Sequence, residues 1–381
     1  MMKNIELYLG YTVFFTVGLA INIIFALLPD IRATFQLSYA EAGNVMVVLQ
    51  VGFITSLALR TKLLNHLGMR KLLLLASVIW MTGIGCITLS AVKYFLYLGV
   101  TLSGFAYGTF QNLFSAYVVM ASDRDKGKRI SLMNAFFGIG SVAAPFFASI
   151  ALAFGNWRIG YAPIVLSIVG MTMVLFSIRF LPVFEETTGH KKAFPFGLTF
   201  IFVGLFVIIY PMTEFTAGSW SSEYWSVLGD TSMIPYSMVT AFFWVSFTLG
   251  RLVTGRIADR IGAMPFMLRT TLLFMAVSTL WLLIDHPLIA LLSLVGIGFT
   301  LAGMFPIFLI QAGEFFPRHI GTITSWFFFF LSIGGMGSQK LVGEMAETFG
   351  IGVLPPIFFT SSFLLMAVLL LLNLERKKMY E

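Results

Sequence analysis

Glu214 stands out when the chain is searched for groups that could exchange a proton inside an apolar segment. It lies in the hydrophobic run 196–217, three positions after Pro211. A carboxylate removed from water takes up a proton more readily, because apolar surroundings disfavour its charge. Trp220 and Tyr224 follow closely, and aromatic rings beside a carboxylate can hold a sugar by stacking and hydrogen bonds. We predict that Glu214 couples protons and that both aromatics contact substrate; the alternative is a solvated Glu214 at the outer helix end.

Polar amides occur on faces of small residues in three other apolar runs. Asn22, Gln111 and Asn134 recur with glycines and serines at helical spacing. An amide offers donors and an acceptor, which suits solute hydroxyl groups, although a neighbouring helix could equally satisfy it. For the glycines we expect close helix packing. Trp244 and Trp326 are further candidates for substrate contact, since binding pockets favour aromatic anchors.

The composition describes a chain with too few charges to cover a soluble surface. Of its 381 residues, 58% are hydrophobic and 11% are charged. A typical soluble domain has about 25% charged residues. This difference excludes an ordinary soluble enzyme and a disordered chain. The single cysteine, Cys86, excludes an internal disulfide and a metal site built from several cysteines.

Apolar runs of roughly 20 residues, enough to cross a bilayer as helices, recur along the whole chain. Their length favours helices over barrel strands, which would have about ten residues of alternating polarity. The first run is also too long for the core of a signal peptide. We therefore predict an all-α integral membrane protein with twelve transmembrane helices near 7–29, 41–60, 71–91, 95–121, 130–154, 161–181, 196–217, 234–253, 265–284, 288–313, 321–341 and 354–373.

The distribution of basic residues predicts the orientation of these helices. If the amino terminus is cytoplasmic, only four of the 24 Lys and Arg residues fall on the outer side, namely Arg32, Lys93, Arg158 and Lys340. An excess of Lys and Arg in cytoplasmic loops is the rule for membrane proteins. Both termini are therefore predicted to be cytoplasmic. The same bias explains the net charge of +7 without a nucleic-acid partner.

A repeat divides the chain into two halves. The segment Thr61–Gly68 and the segment Gly255–Gly262 each end in glycine and follow the second and the eighth run. Asn65 and Asp259 occupy the same place in the two segments, three positions before that glycine. Such repeats are typical of transporters in which one half moves against the other. The predicted division is an amino-terminal six-helix bundle at 1–181, a cytoplasmic linker at 182–195 and a carboxy-terminal six-helix bundle at 196–381.

These segments could act as a gate. We expect Gly255 and Gly262 to form a tight turn, with Asp259 at the start of the next helix, where unpaired amides favour an acid. If arginine contacts to this acid exist in one conformation only, they stabilise that conformation. The alternative is a static helical hairpin. The residues assigned to the gating motif are Gly255, Asp259, Arg260, Gly262 and Arg251, with Asn65 and Gly68 in the first copy.

The two repeated segments and the arrangement of six plus six runs resemble the major facilitator superfamily over essentially the whole chain. Within it, the segment 29–43, Gln111 with the segment 129–136, and the segment from Glu214 to Tyr224 are similar to the fucose–galactose–glucose:proton symporter group. The resemblance implies proton-coupled sugar transport. The chain departs from that group at Asn134, where relatives carry Gln, and in having no carboxylate inside the first and fourth predicted helices.

The function predicted from all these features is secondary active transport. No Gly-x-x-x-x-Gly-Lys-Ser/Thr loop is present, and the four histidines fall in predicted loops, so neither an ATP-driven motor nor a membrane enzyme is expected. We predict proton-coupled uptake of a sugar or other small polar solute by a monomer without cofactor or metal, in a prokaryotic inner membrane. The alternatives are an exporter of amphiphilic or cationic compounds and a sensor that transports nothing.

Overall fold

The regular structure of the chain is helical. The computed structural model describes residues 4–121, 126–178, 180, 196–228, 234–316 and 319–380, and within these ranges every regular element is a helix. The prediction of an all-α protein is confirmed. The helices are α1 Asn4–Ala26, α2 Leu28–Phe35, α3 Tyr39–Leu89, α4 Lys93–Ala121, α5 Lys126–Ala153, α6 Ala162–Ser177, α7 Leu198–Val227, α8 Tyr236–Ile261, α9 Ala263–Leu283, α10 Pro287–Leu301, α11 Met304–Phe315, α12 Ile320–Phe349 and α13 Leu354–Tyr380.

The described helices are consistent with twelve membrane spans. Nine stretches in the described ranges are long and apolar enough to cross a membrane. One of them, α3, has 51 residues, more than twice the roughly 20 needed for one span, and its helical geometry is interrupted at Gly68. Helices α4 and α12 are not among the nine, although they have 29 and 30 residues, because Gly, Ser, Thr and Gln lower their hydropathy.

The chain forms two compact units, Met1–Thr188 and Gly189–Glu381. In the first unit α3 packs along α4, and α1 packs along α5. In the second unit α7 contacts α12, α13 and α8, while α9 packs against α13 and α10. Helix α7 is thus the central helix of its unit. The predicted linker at 182–195 lies outside the described residues.

Glycines let the helices of each unit approach closely. In the first unit Gly18 lies against the carbonyl of Phe137, and Gly140 lies against the carbonyl of Phe15, so that α1 and α5 cross with backbones in contact. In the second unit Gly334 of α12 lies in the same way against α7. Any side chain at these positions would meet backbone atoms, so the glycines serve helix packing, as in membrane helix pairs generally.

The two repeated segments are helical up to their final glycine, which corrects the prediction that they are loops. Both are amphipathic: Leu64 and Ala258 are buried while the charged residues around them are exposed, and this pattern extends α3 and α8 beyond their predicted ends. Asp259 therefore lies in the last turn of α8 and not at the start of α9. The segments end at Gly68 (φ 71°, ψ 162°) and Gly262 (φ 88°, ψ 153°) in nearly the same conformation.

A second pair of turns extends the repeat, and sequence reasoning missed it. Gly155 (φ 71°) and Gly350 (φ 79°) follow α5 and α12. Each precedes a short 3-10 helix, Trp157–Tyr161 in the first unit and Ile351–Val353 in the second. Gly155 and Gly350 are 195 residues apart in the sequence, and Gly68 and Gly262 are 194 residues apart. Each unit thus carries the same two glycine turns at matching positions in its helix order.

The turn at Gly262 provides a stability test with a control in the same segment. Gly262→Ala places a side chain in a backbone region that is nearly exclusive to glycine, so a loss of about 1–3 kcal/mol in unfolding free energy is expected. Gly255 lies inside α8 with open space around it, so Gly255→Ala is expected to gain about 0.5–1 kcal/mol. Thermal unfolding in detergent measures both, and shifts of the same sign would contradict the assignment.

Candidate functional site

Glu214 lies near the middle of α7. The helix has 30 residues and runs ten positions beyond its predicted end at 217. Glu214 is therefore about 24 Å from the first residue of the helix and about 20 Å from the last. The alternative that placed it at the outer end of its helix is wrong. Its side chain is partly exposed, and Pro211 lies within the same helix one turn before it.

The face of α7 that carries Glu214 meets α8 at a glycine. A side chain built at Gly218 would lie 3.1 Å from Cζ2 of Trp244, so the indole ring packs directly on the α7 backbone. Residues four apart share a helix face, which places Glu214 one turn from this contact. Trp244 is 6% exposed, and its Nε1 has no hydrogen-bond partner within the described ranges. Its buried N–H is thus a donor with no acceptor among the described residues.

Aromatic contacts along α8 position an arginine near Glu214. The ring centroids of Trp244 and Phe247 are 5.5 Å apart at 81°, and Cζ of Arg251 lies 4.4 Å above the Phe247 ring. The positive charge of Arg251 acts electrostatically on Glu214 and Tyr210. Among the described residues no cation lies within 4 Å of the Glu214 carboxylate. The carboxylate and the guanidinium therefore share one environment without a direct ion pair.

We call this arrangement the α7–α8 site. Its members combine one acid, one base and an aromatic wall within the carboxy-terminal unit. They are Tyr210, Glu214, Gly218, Trp244, Phe247 and Arg251. Arg251, which was assigned from the sequence to the gating motif, is exposed, and its guanidinium lies over the Phe247 ring of α8.

Trp220 and Tyr224, predicted as substrate contacts, lie in contacts between helices. Trp220 is fully buried and donates its indole N–H to Oε1 of Gln339 on α12, at 2.9 Å. Ser219 donates to the same oxygen at 2.9 Å. The hydroxyl of Tyr224 accepts a hydrogen bond from Nε1 of Trp281 on α9, at 3.4 Å. These side chains connect α7 to its neighbours.

Two buried carboxylates were missed because predicted helix ends were too short. Glu6 is 2% exposed, and the hydroxyl of Tyr117 donates to its Oε2 at 2.8 Å. The first helix was predicted from residue 7, whereas α1 begins at Asn4. Glu223 is fully buried in α7, beyond the predicted end at 217. The statement that the first helix holds no carboxylate is therefore wrong.

The three amides predicted in the first unit have different environments. Asn22 is fully buried and its Nδ2 donates to the carbonyl of Gly18 at 2.8 Å and to Oγ of Ser141 at 3.0 Å, joining α1 to α5. Its Oδ1 has no partner within the described ranges. Asn134 is exposed and bonds its own helix, and Gln111 is partly exposed. No hydrogen bond joins any two of the three.

The remaining candidates lie near helix ends. Trp326 of α12 is partly exposed and stacks on Phe330 at 5.5 Å, with Phe200 edge-on at 5.7 Å. Asp259 and Arg260 are exposed, and neither forms an ion pair within the described part of the chain. The amide of Asn65 is also exposed. No group of three metal-ligating side chains occurs in the described ranges.

Comparison with known proteins gives one consistent family. The model of the Major Facilitator Superfamily matches residues 10–339. The glucose/mannose transporter GlcP of Bacillus subtilis (strain 168) is 21% identical, over 97% of this chain and 94% of its own length. The Protein TsgA homolog of Enterobacter sp. (strain 638) is 26% identical over 58% of this chain and 57% of its own.

Solved structures show the same fold. A mutant form of the nucleoside transporter NupG has a TM-score of 0.80 at 15% identity, covering 97% of this chain and 99% of its own. The D-xylose-proton symporter has a TM-score of 0.74 at 16% identity, covering 96% of both chains. With a family model that matches most of its length, the chain belongs to the major facilitator superfamily and is a multi-pass membrane transporter, not an enzyme.

Proposed function

We propose that the protein takes up a sugar, or a similarly small and neutral hydroxyl-rich solute, together with protons by alternating access. The observation that carries this proposal is the position of Glu214, a partly exposed carboxylate halfway along the central helix of its unit. Ionisable groups inside membrane-spanning segments are costly and mark ion pathways in transporters. The distribution of basic residues supports cytoplasmic termini, and the similarity to a transporter of Bacillus subtilis supports a prokaryotic inner-membrane location.

Glu214 is suited to take up and release a proton. No cation lies within 4 Å of it in the described structure, so neutralising it breaks no direct ion pair. Arg251 on the neighbouring helix α8 is near enough to act on it electrostatically without a direct contact. Moving one charge through 100 mV supplies roughly 2.3 kcal/mol, enough for about fortyfold accumulation of solute.

The charges of the α7–α8 site favour a neutral solute over a cation. Glu214 and Arg251 carry opposite charges in one environment, so the site offers no uncompensated negative charge to a lipophilic cation. The unused N–H of Trp244 suits a solute oxygen. The names of two similar proteins, a glucose/mannose transporter and a D-xylose-proton symporter, agree with a sugar. In the first unit, Gln111, Asn134 and the unpartnered oxygen of Asn22 are the proposed hydroxyl contacts.

We assign the gating role to the repeated turns. Gly68 and Gly262 hold the same unusual backbone conformation, and exposed polar residues precede each of them, Asn65 in one segment and Asp259 with Arg260 in the other. Exposed charges that form no ion pair within the described structure are available for contacts in another conformation. Such contacts would stabilise that conformation alone.

Replacing the proton-coupling carboxylate tests the proposal directly. Glu214→Gln keeps the shape of the side chain and cannot exchange a proton, so pH-driven accumulation of sugar in proteoliposomes is expected to fall to background while sugar exchange persists. Glu344→Gln is the control, because that carboxylate is 53% exposed and pairs with Lys340 at the surface. Unchanged accumulation in Glu214→Gln would remove Glu214 from the coupling role.

The solute class is tested by comparing two kinds of labelled compound in the same vesicles. Under an inward proton gradient, radiolabelled hexoses are expected to accumulate, because the α7–α8 site is balanced in charge. A lipophilic cation such as tetraphenylphosphonium is expected to show no protein-dependent flux. Flux of the cation without flux of any hexose would support the exporter alternative.

Two tryptophans separate substrate contact from helix packing. Trp244→Phe removes an N–H that has no partner in the described structure, so the KM for sugar is expected to rise several-fold with little change in unfolding temperature. Trp220→Phe removes an N–H bonded to Gln339, so stability is expected to fall by about 1–3 kcal/mol. If Trp244→Phe leaves KM unchanged, its indole N–H does not contact the solute.

A further inference from the structure

An internal cavity lies within the amino-terminal unit. Its volume is about 10 Å³, and it is surrounded by α1, both halves of α3, α4 and the start of α6. Most of the wall is apolar, with Ile21, Leu49 and Trp80 among its residues. A cavity of this volume has room for about one water molecule and is too small for a sugar. None of the wall residues belongs to the contacts proposed for transport.

Three hydroxyl groups interrupt the apolar wall. They belong to Ser103 and Tyr107 of α4 and to Tyr161, the last residue of the 3-10 helix before α6. Ser103 is 7% exposed and Tyr161 is 3% exposed, and the oxygen of each has no hydrogen-bond partner in the described protein. A buried hydroxyl without a partner costs free energy, so two of them in one cavity require an explanation.

Ser103 differs from neighbouring hydroxyl residues of its own helix. Thr101 and Thr109 each donate to the carbonyl four residues earlier, both at 2.8 Å, which is the usual way to satisfy a hydroxyl in a membrane helix. Ser103 makes no such bond. Its Oγ lies at the crossing of α4 with α3, where a side chain at Gly83 would approach it to 2.8 Å. Its hydroxyl is therefore available to the cavity that it lines.

We propose that this cavity is a binding site for a single structural water that bridges Ser103 and Tyr161. A buried water needs two to four polar partners, and the wall supplies three, the third being the Tyr107 hydroxyl. The water satisfies both unpartnered oxygens at once. It thereby links α4 by hydrogen bonds to the 3-10 helix that precedes α6.

Removing the hydroxyls from the full-length protein in detergent tests the bridge. Ser103→Ala and Tyr161→Phe are each expected to lower the unfolding temperature by about 2–4 °C, because each deprives the water of a partner. The double variant is expected to lose less than the sum of the two shifts, since both replacements break the same bridge. Thr109→Val is the control, because that hydroxyl bonds its own helix and does not line the cavity.

A dry cavity predicts the opposite change in unfolding temperature. If the cavity held no water, removing an unsatisfied hydroxyl would relieve a cost, so both single variants would raise the unfolding temperature and their shifts would add. An experimental map at a resolution that shows waters gives a second measurement on the unaltered protein. A rounded peak within hydrogen-bond distance of both oxygens supports the proposal; no peak, or the elongated density of a lipid tail, overturns it.

Discussion

The inability of lipid to form hydrogen bonds is the constraint on which the rest of the structure depends. A backbone group without a partner is too costly inside a bilayer, so each spanning segment must be a helix that satisfies its own backbone. Apolar side chains cannot then drive the helices together, because lipid is equally apolar, and close packing takes over that role. The glycine contacts of Gly18 with α5 and of Gly334 with α7 are the consequence. They fix which helix faces meet and so determine where polar side chains are placed.

In the carboxy-terminal unit this packing creates the candidate site. Gly218 brings Trp244 directly onto the backbone of α7. On α8, Trp244 makes an edge-to-face contact with Phe247, and the Arg251 guanidinium lies over the Phe247 ring. The arginine is thereby held near Glu214 without pairing with it. An acid and a base that are close but not in contact can change charge without breaking an ion pair, which agrees with the proposed proton coupling.

The two units share more glycine turns than the sequence analysis identified. Gly68 and Gly262 were recognised from the repeated segments, but the equivalence of Gly155 and Gly350 was visible only from their positive φ angles. The two glycines share only the short pattern Ala-x-x-Phe-Gly, at 151–155 and 346–350, which is too brief to mark a turn without the backbone angles. Backbone conformation has been retained at both turns, and each unit therefore begins its third and its sixth spanning helix in the same way.

The amino-acid sequence alone determined the helical class, the approximate positions of the spans and the family resemblance, because hydropathy and local motifs carry this information; it also singled out Glu214 as a candidate. Helix ends were not determined, since amphipathic segments such as 61–67 continue as helices past the last apolar residue; Glu6 and Glu223 were missed for this reason. Only the tertiary structure decided which polar groups have partners. Trp220 and Trp244 are both tryptophans in apolar helices, and the sequence does not distinguish them. The indole N–H of Trp220 donates to Gln339, whereas that of Trp244 has no partner in the described protein. The difference depends on which neighbouring helix each ring faces.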